Sequence, residues 1–165
     1  MPLKAEGEFA LVKETIARGF ALAGQPVKRG SMAHDHDMFM TLADTAAQMR
    51  DATGCREYAA RLEELAERDG HKLYRAIAHR AWGVAHRLTG ESREAETRLN
   101  CALDIFRDTG AQWQIARTLS ELGELARDQH SATAHDLFAQ ALAIFEAMRA
   151  MPDVERTRAI IATLS

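Results

Sequence analysis

A segment of about forty residues recurs along this chain, and a repeat of that length restricts the fold more than any single motif does. Ala102-Leu103-Asp104-Ile105-Phe106 aligns with Ala141-Leu142-Ala143-Ile144-Phe145 at an offset of 39. Upstream, Ala76, Trp82 and Gly83 align with Ala116, Leu122 and Gly123 at an offset of 40, the difference falling around Thr89 to Ser92. Carried backwards, the offset pairs Leu42-Ala43 with Trp82-Gly83. Carried forwards, it pairs Ile115, Arg117 and Thr118 with Val154, Arg156 and Thr157.

Each repeat reads as two helices. In the second helix of each pair, apolar or small residues fall at matched 4-3-1-3 spacing, which is one helical face. The copies are Val12, Ile16, Gly19, Phe20, Ala23; Tyr58, Leu62, Leu65, Ala66, Asp69; Ala95, Leu99, Ala102, Leu103, Phe106; and Ala134, Phe138, Ala141, Leu142, Phe145. Asp69 alone breaks the stripe, beside Gly70 at a helix end. Composition agrees: of 165 residues 31 are Ala and only 3 are Pro, a mix that favours helix over sheet. The expected all-α map has about eight helices, over 8–23, 33–52, 55–69, 72–88, 91–108, 112–128, 132–149 and 153–164. Gly24 with Pro26, Gly54, Gly70, Gly90 and Gly110 supply the stops.

These residues resemble the tetratricopeptide repeat family in its longer, roughly 40-residue form. Trp82-Gly83 and Leu122-Gly123 carry the likeness in first helices, and Ala95, Ala134, Ala102 and Ala141 carry it in second helices. Gly7-Glu8-Phe9 and Gly90-Glu91 resemble the family's turn between paired helices. The chain departs from the pattern at Ala43, where the other copies have Gly, and at the glycine-free turn Gln129-His130-Ser131. The family's inter-repeat proline is present only as Pro152. The resemblance implies a right-handed α-solenoid of antiparallel helix pairs, one domain over 1–165 with repeats near 33–70, 71–110 and 111–151. Partial repeats at both ends suggest a segment of a longer array, or one completed by self-association through its terminal helices. It further implies a non-catalytic interaction scaffold of the kind attached to bacterial ATPase-type transcription regulators and nucleotide cyclases, hence a regulatory or signalling module.

Charge narrows the alternatives. The net charge is −3, with both signs mixed throughout, so no basic tail or stripe points to nucleic acid or a membrane surface. No apolar run approaches the ~20 residues that span a bilayer. Glu6, Glu8 and Lys13 interrupt what would be a secretory apolar region, and two cysteines make no disulfide framework, so a cytoplasmic location is expected.

The chemistry-bearing residues are sparse. His34-x-His36, flanked by Asp35 and Asp37, is the most metal-like cluster, but two ligands do not complete a site, and the reading is solvated residues with Ser31 or Asp35 as helix cap. His79 and His86 lie seven apart beside Trp82, unlike the spacing of four in H-E-x-x-H, and read as core or boundary histidines. His130 and His135 flank a turn and should be exposed. Cys101 is expected to pack as a small hydrophobe, and Cys55 to open a helix whose dipole could lower its pKa. P-loop, dinucleotide, nucleophile-elbow and paired-cysteine motifs are absent from the sequence, so neither an enzyme nor a bound metal or cofactor is expected.

In the resembled family the first helices line a concave groove that receives a peptide or helix. Helical phase, set by Leu42, Trp82, Leu122 and Ile161, places Asp37, Met40, Asp44 and Ala47 in that groove, then Ile77, Arg80, Val84 and Arg87, then Arg117, Ser120, Glu124 and Arg127, with Arg156 beyond. The five arginines suit bidentate binding of carboxylate or phosphate, which suggests a protein or peptide partner with an acidic segment. Asp37 and Asp44 make one end acidic, favouring a ligand of opposed charges. The alternative is that Arg117, Glu121, Glu124 and Arg127 pair within their own helix.

Overall fold

The computed structural model describes residues 32–164, with Glu14 alone from the preceding segment. The helix expected over 8–23 and its stop at Gly24 and Pro26 lie outside the described residues. Those residues form seven helices and no strand: α1 (Met32–Gln48), α2 (Ala52–Asp69), α3 (Lys72–Leu88), α4 (Ser92–Asp108), α5 (Gln112–Asp128), α6 (Thr133–Ala147) and α7 (Met151–Ala162).

Six turns of one design join them. After each helix one residue takes a left-handed conformation: Arg50, Gly70, Gly90, Gly110, His130 and Arg149, with φ between 55° and 80°. That residue donates its N–H to the carbonyl three residues back at 3.0–3.4 Å, and the next residue donates to the carbonyl five residues back at 2.8–3.0 Å, as in Asp51 to Ala46, Glu91 to His86 and Ser131 to Ala126. This double closure satisfies carbonyls that a helix end otherwise leaves unpaired, and it turns the chain sharply back. Consecutive helices therefore pack on one another, α1 on α2 through to α6 on α7.

The turn positions correct one part of the sequence reading. Gly54 does not end a helix. Arg50 makes that turn, Asp51 caps α2 by accepting from Gly54 N–H at 2.9 Å, and Gly54 is buried in the first helical turn. α2 therefore starts three residues before the expected boundary, and its stripe shifts with it. Cys55, Ala59, Leu62 and Ala66 hold the places of Ala95, Leu99, Ala102 and Phe106, and of Ala134, Phe138, Ala141 and Phe145. All twelve are at most 4% exposed. Tyr58 is only partly buried, and Asp69 is no flaw in the stripe.

The same register explains why Ala43 stands where later repeats have glycine. A methyl group at Gly83 would lie 2.5 Å from Leu99, and one at Gly123 would lie 2.9 Å from the Phe138 ring. At the corresponding place in the first repeat α2 presents the smaller Ala59, and Ala43 is accommodated with no exposed surface. Between repeats, α1 packs on α3 and α3 touches α5, whereas no comparable packing joins α2 to α4 or α4 to α6. Among the described residues, the first helices α1, α3 and α5 are thus held together more closely than the second helices α2, α4 and α6.

Candidate interaction surface

The first helices carry a ladder of alternating charges. Arg80 and Asp44 are placed on facing sides of α3 and α1, and Arg117 reaches the same carboxylate from α5. Asp44 Oδ1 accepts from Arg80 Nη2 at 2.8 Å, and Oδ2 accepts from Arg117 Nη1 at 2.9 Å. Arg80 Nη1 donates to Gln114 Oε1 at 2.5 Å, and its guanidinium lies 5.3 Å from the Phe106 ring centroid. With 2% of its surface exposed, Arg80 is a buried cation held by a carboxylate, an amide and a ring face. Burial alone would raise the Asp44 pKa, but the charges of Arg117 and Arg80 and their hydrogen bonds outweigh it and lower the group to about 2.

A second rung lies beside the C-terminal end of α1. Arg50 Nη1 donates to both oxygens of Glu121, at 2.9 and 2.7 Å, across 71 residues of sequence. Arg87 on α3 lies 3.8 Å from the same carboxylate and donates to Asp128 at 2.8 Å. Arg127 pairs with Glu124 one turn away. Towards the other end, Tyr74 donates to Asp37 at 2.6 Å, a bond that pushes the phenol up to about 12.

The sequence-selected groove residues divide accordingly. Ala47, Ile77 and Val84 are buried; Val84 packs with Ala46, Ala47, Cys55 and Ala85 and offers no surface to a ligand. Met40 is partly buried against the core, and Ser120 Oγ donates to the Ala116 carbonyl at 3.0 Å. Glu124 is 7% exposed. Asp37, Arg127 and Arg156 face solvent, with Arg156 3.4 Å from Asp153. Arginine pairing runs mainly between helices, an arrangement that neither free arginines nor pairing within one helix anticipates. Of the groove arginines, Arg127 with Glu124 and Arg156 with Asp153 follow the within-helix pattern.

Several members of this surface were not selected from sequence. Arg50, Gln114, Glu121 and Asp128 enter it only because three first helices meet. Trp113 is 37% exposed, carries the Arg117 guanidinium 4.6 Å from its ring centroid, and directs Nε1 toward Asp153 at 3.5 Å. An exposed aromatic one helical turn before Arg117 was the available signal. Leu73, at the same place one repeat earlier, is also exposed.

Away from the ladder, three expectations are corrected. His36 is not solvated: at 1% exposure it packs 5.0 Å from the rings of both His71 and Tyr74, with Nε2 3.3 Å from Asp69. Cys55 is not activated by its helix end, because burial, with Asp51 and Glu121 nearby, pushes the thiol up to about 12. Cys101 is exposed, since it lies off the stripe formed by Leu99, Ala102 and Phe106. His79 and His86 are partly buried, as their phase implies; His79 lies 3.5 Å from Glu63 and 2.7 Å from Arg98, and burial lowers its pKa. His86 stacks on Trp82 and meets Glu91 at 2.6 Å. Its hydrogen bond, with those of Arg56 and Thr89, lowers the Glu91 pKa to about 2. His130 and His135 are exposed. Among the described residues, no group of three or more His, Cys, Asp or Glu side chains is arranged to hold a metal ion, and no helix is long and apolar enough to cross a membrane. No protein-family model matches the chain, nor does any curated protein or solved structure.

Proposed function

We propose that the chain is a non-catalytic α-solenoid module, resembling tetratricopeptide repeats, that presents its row of first helices to a protein or peptide partner. The observation that carries this reading is Trp113. It is a large apolar ring left exposed on a first helix, backed by Arg117, with Arg127 further along α5 and Arg156 on α7 open to solvent. Exposed aromatic and arginine side chains are the types that dominate protein recognition. Closer packing among α1, α3 and α5 than among α2, α4 and α6 is what a superhelix with first helices inside would produce. The solvent-facing arginines favour a segment with an acidic residue next to an apolar one. A regulatory role in the cytoplasm belongs to the same reading, and the unpaired thiols of Cys55 and Cys101 accord with a reducing compartment.

The test uses a Trp82→Phe background, so that Trp113 is the remaining tryptophan, and a peptide library varied in acidic and apolar content. Saturable changes in Trp113 emission with acidic–apolar peptides, lost in Arg156→Glu, support the surface. Binding that perturbs only amide signals of α2, α4 and α6, or no binding by any peptide class, overturns it.

A second reading, self-association through terminal helices, is favoured by Met148 and Met151, 46% and 53% exposed around the last turn. Sedimentation velocity would then show mass rising with concentration and returning to monomer in Met148→Glu/Met151→Glu. A parent chain that is monomeric at every concentration removes this reading.

A further inference from the structure

We propose that the charged ladder is an ionic latch that holds α1 against α5 and so sets how tightly the row of first helices curls. Asp44–Arg117 and Arg50–Glu121 connect residues 73 and 71 positions apart, passing over the intervening helix pair. α1 packs on α3 and α3 touches α5, but no comparable packing joins α1 to α5, so the link between them is made by long charged side chains. The latch does not depend on which partner the module meets.

The two links differ in strength for a physical reason. Around Asp44 the side chains are largely withdrawn from water, 2% exposed at Arg80, 14% at Arg117 and 20% at Asp44. Charges in such surroundings are weakly screened and hold their geometry. The Arg50–Glu121 pair is more open, with 40% of the Arg50 side chain in water. Exposed pairs of this kind contribute little individually and weaken in salt. The Arg50 end therefore releases first, with the Asp44 cluster as the pivot, and the α1–α5 gap widens at the C-terminal end of α1.

Distance measurement by double electron–electron resonance tests this directly. Spin labels are placed at Gln48→Cys and Gln129→Cys in a Cys101→Ser background, while Cys55 stays buried and unlabelled. A control pair at Gln48→Cys and Leu88→Cys reads α1 against α3. Raising NaCl from about 10 mM to about 1 M shortens the Debye length from ~30 to ~3 Å. The α1–α5 distance is expected to lengthen and broaden over that range while the control distance holds. Arg50→Asn, a residue that tolerates left-handed backbone, and Glu121→Gln should each lengthen it at low salt and remove most of the salt response. An α1–α5 distance unchanged by salt and by both variants overturns the latch. So does an equal lengthening of the control pair, which would mean general loosening. The salt titration of the unsubstituted ladder decides the matter even where a variant folds poorly.

Discussion

Asp44 binds two guanidiniums from two different helices, and its ionisation is accordingly tied to folding. Its native pKa of about 2 lies below the ordinary 3.8, so the ionised form is favoured by the fold. A depressed carboxylate contributes stability above its unfolded pKa and loses it as pH falls toward the folded one. The contribution, on the order of 2 kcal/mol, should be complete above about pH 5 and fade between about pH 4 and pH 2. Urea unfolding of the parent and of Asp44→Asn at pH 7, 4 and 2.5 checks this. The parent should lose its advantage over the variant across that window, and a constant difference would contradict the assignment. Arg80 is no simple surface probe, because Arg80→Glu would set a second carboxylate beside Asp44 in a buried place. Individual residues were the least legible level of the sequence. His36 and Cys55 each took an environment opposite to the one their neighbours in sequence suggested, because burial is decided by helices remote in the chain, whereas the exposure of Cys101 follows from its place off the local stripe.

At the scale of the helix, the turns show which local signals were readable. Gly70, Gly90 and Gly110 marked three left-handed positions, since glycine adopts positive φ without steric penalty. Arg50, His130 and Arg149 fill equivalent positions without that advantage, and only their alignment with Gly90 and Gly110 at the repeat offsets of 40 and 39 marks them as turns. We predict that His130→Gly and Arg149→Gly each stabilise the chain by about 1 kcal/mol, measured by denaturant midpoint at unchanged slope. Arg50→Gly should gain less, because it removes the bonds to Glu121. The close approaches predict the reverse at Gly83 and Gly123. Alanine there meets Leu99 or Phe138 within 3 Å and should destabilise by roughly 1–3 kcal/mol. If Gly83→Ala left the thermal midpoint unchanged, the packing of α3 on α4 would have to be looser than described. Gly54 misled the boundary because a glycine can serve close packing inside a helix as readily as a stop.

For the whole molecule, stability should vary along the row. α3 and α5 are covered on several sides, with buried residues along much of their length, whereas α7 buries only Val154 and Thr157. A stacked array opens locally where it has fewest neighbours. Amide exchange in α7 is therefore predicted to outrun that in α3, α4 and α5, read by mass spectrometry of the intact chain. Equal protection in all four helices would count against this gradient.

Seven described helices, their apolar faces and the forty-residue repeat follow from the sequence, because helix periodicity and turn chemistry act over a few neighbouring residues. The burial of Val84 and Arg80 and the joining of Asp44 to Arg117 were settled only by tertiary structure. Those features arise where residues some 40 or 70 positions apart meet. A long arginine side chain can reach a ligand, its own helix or a helix two pairs away with similar local geometry. The choice among them depends on which carboxylate the packed helices bring within hydrogen-bonding distance, and in this fold Asp44 and Glu121 are the ones brought there.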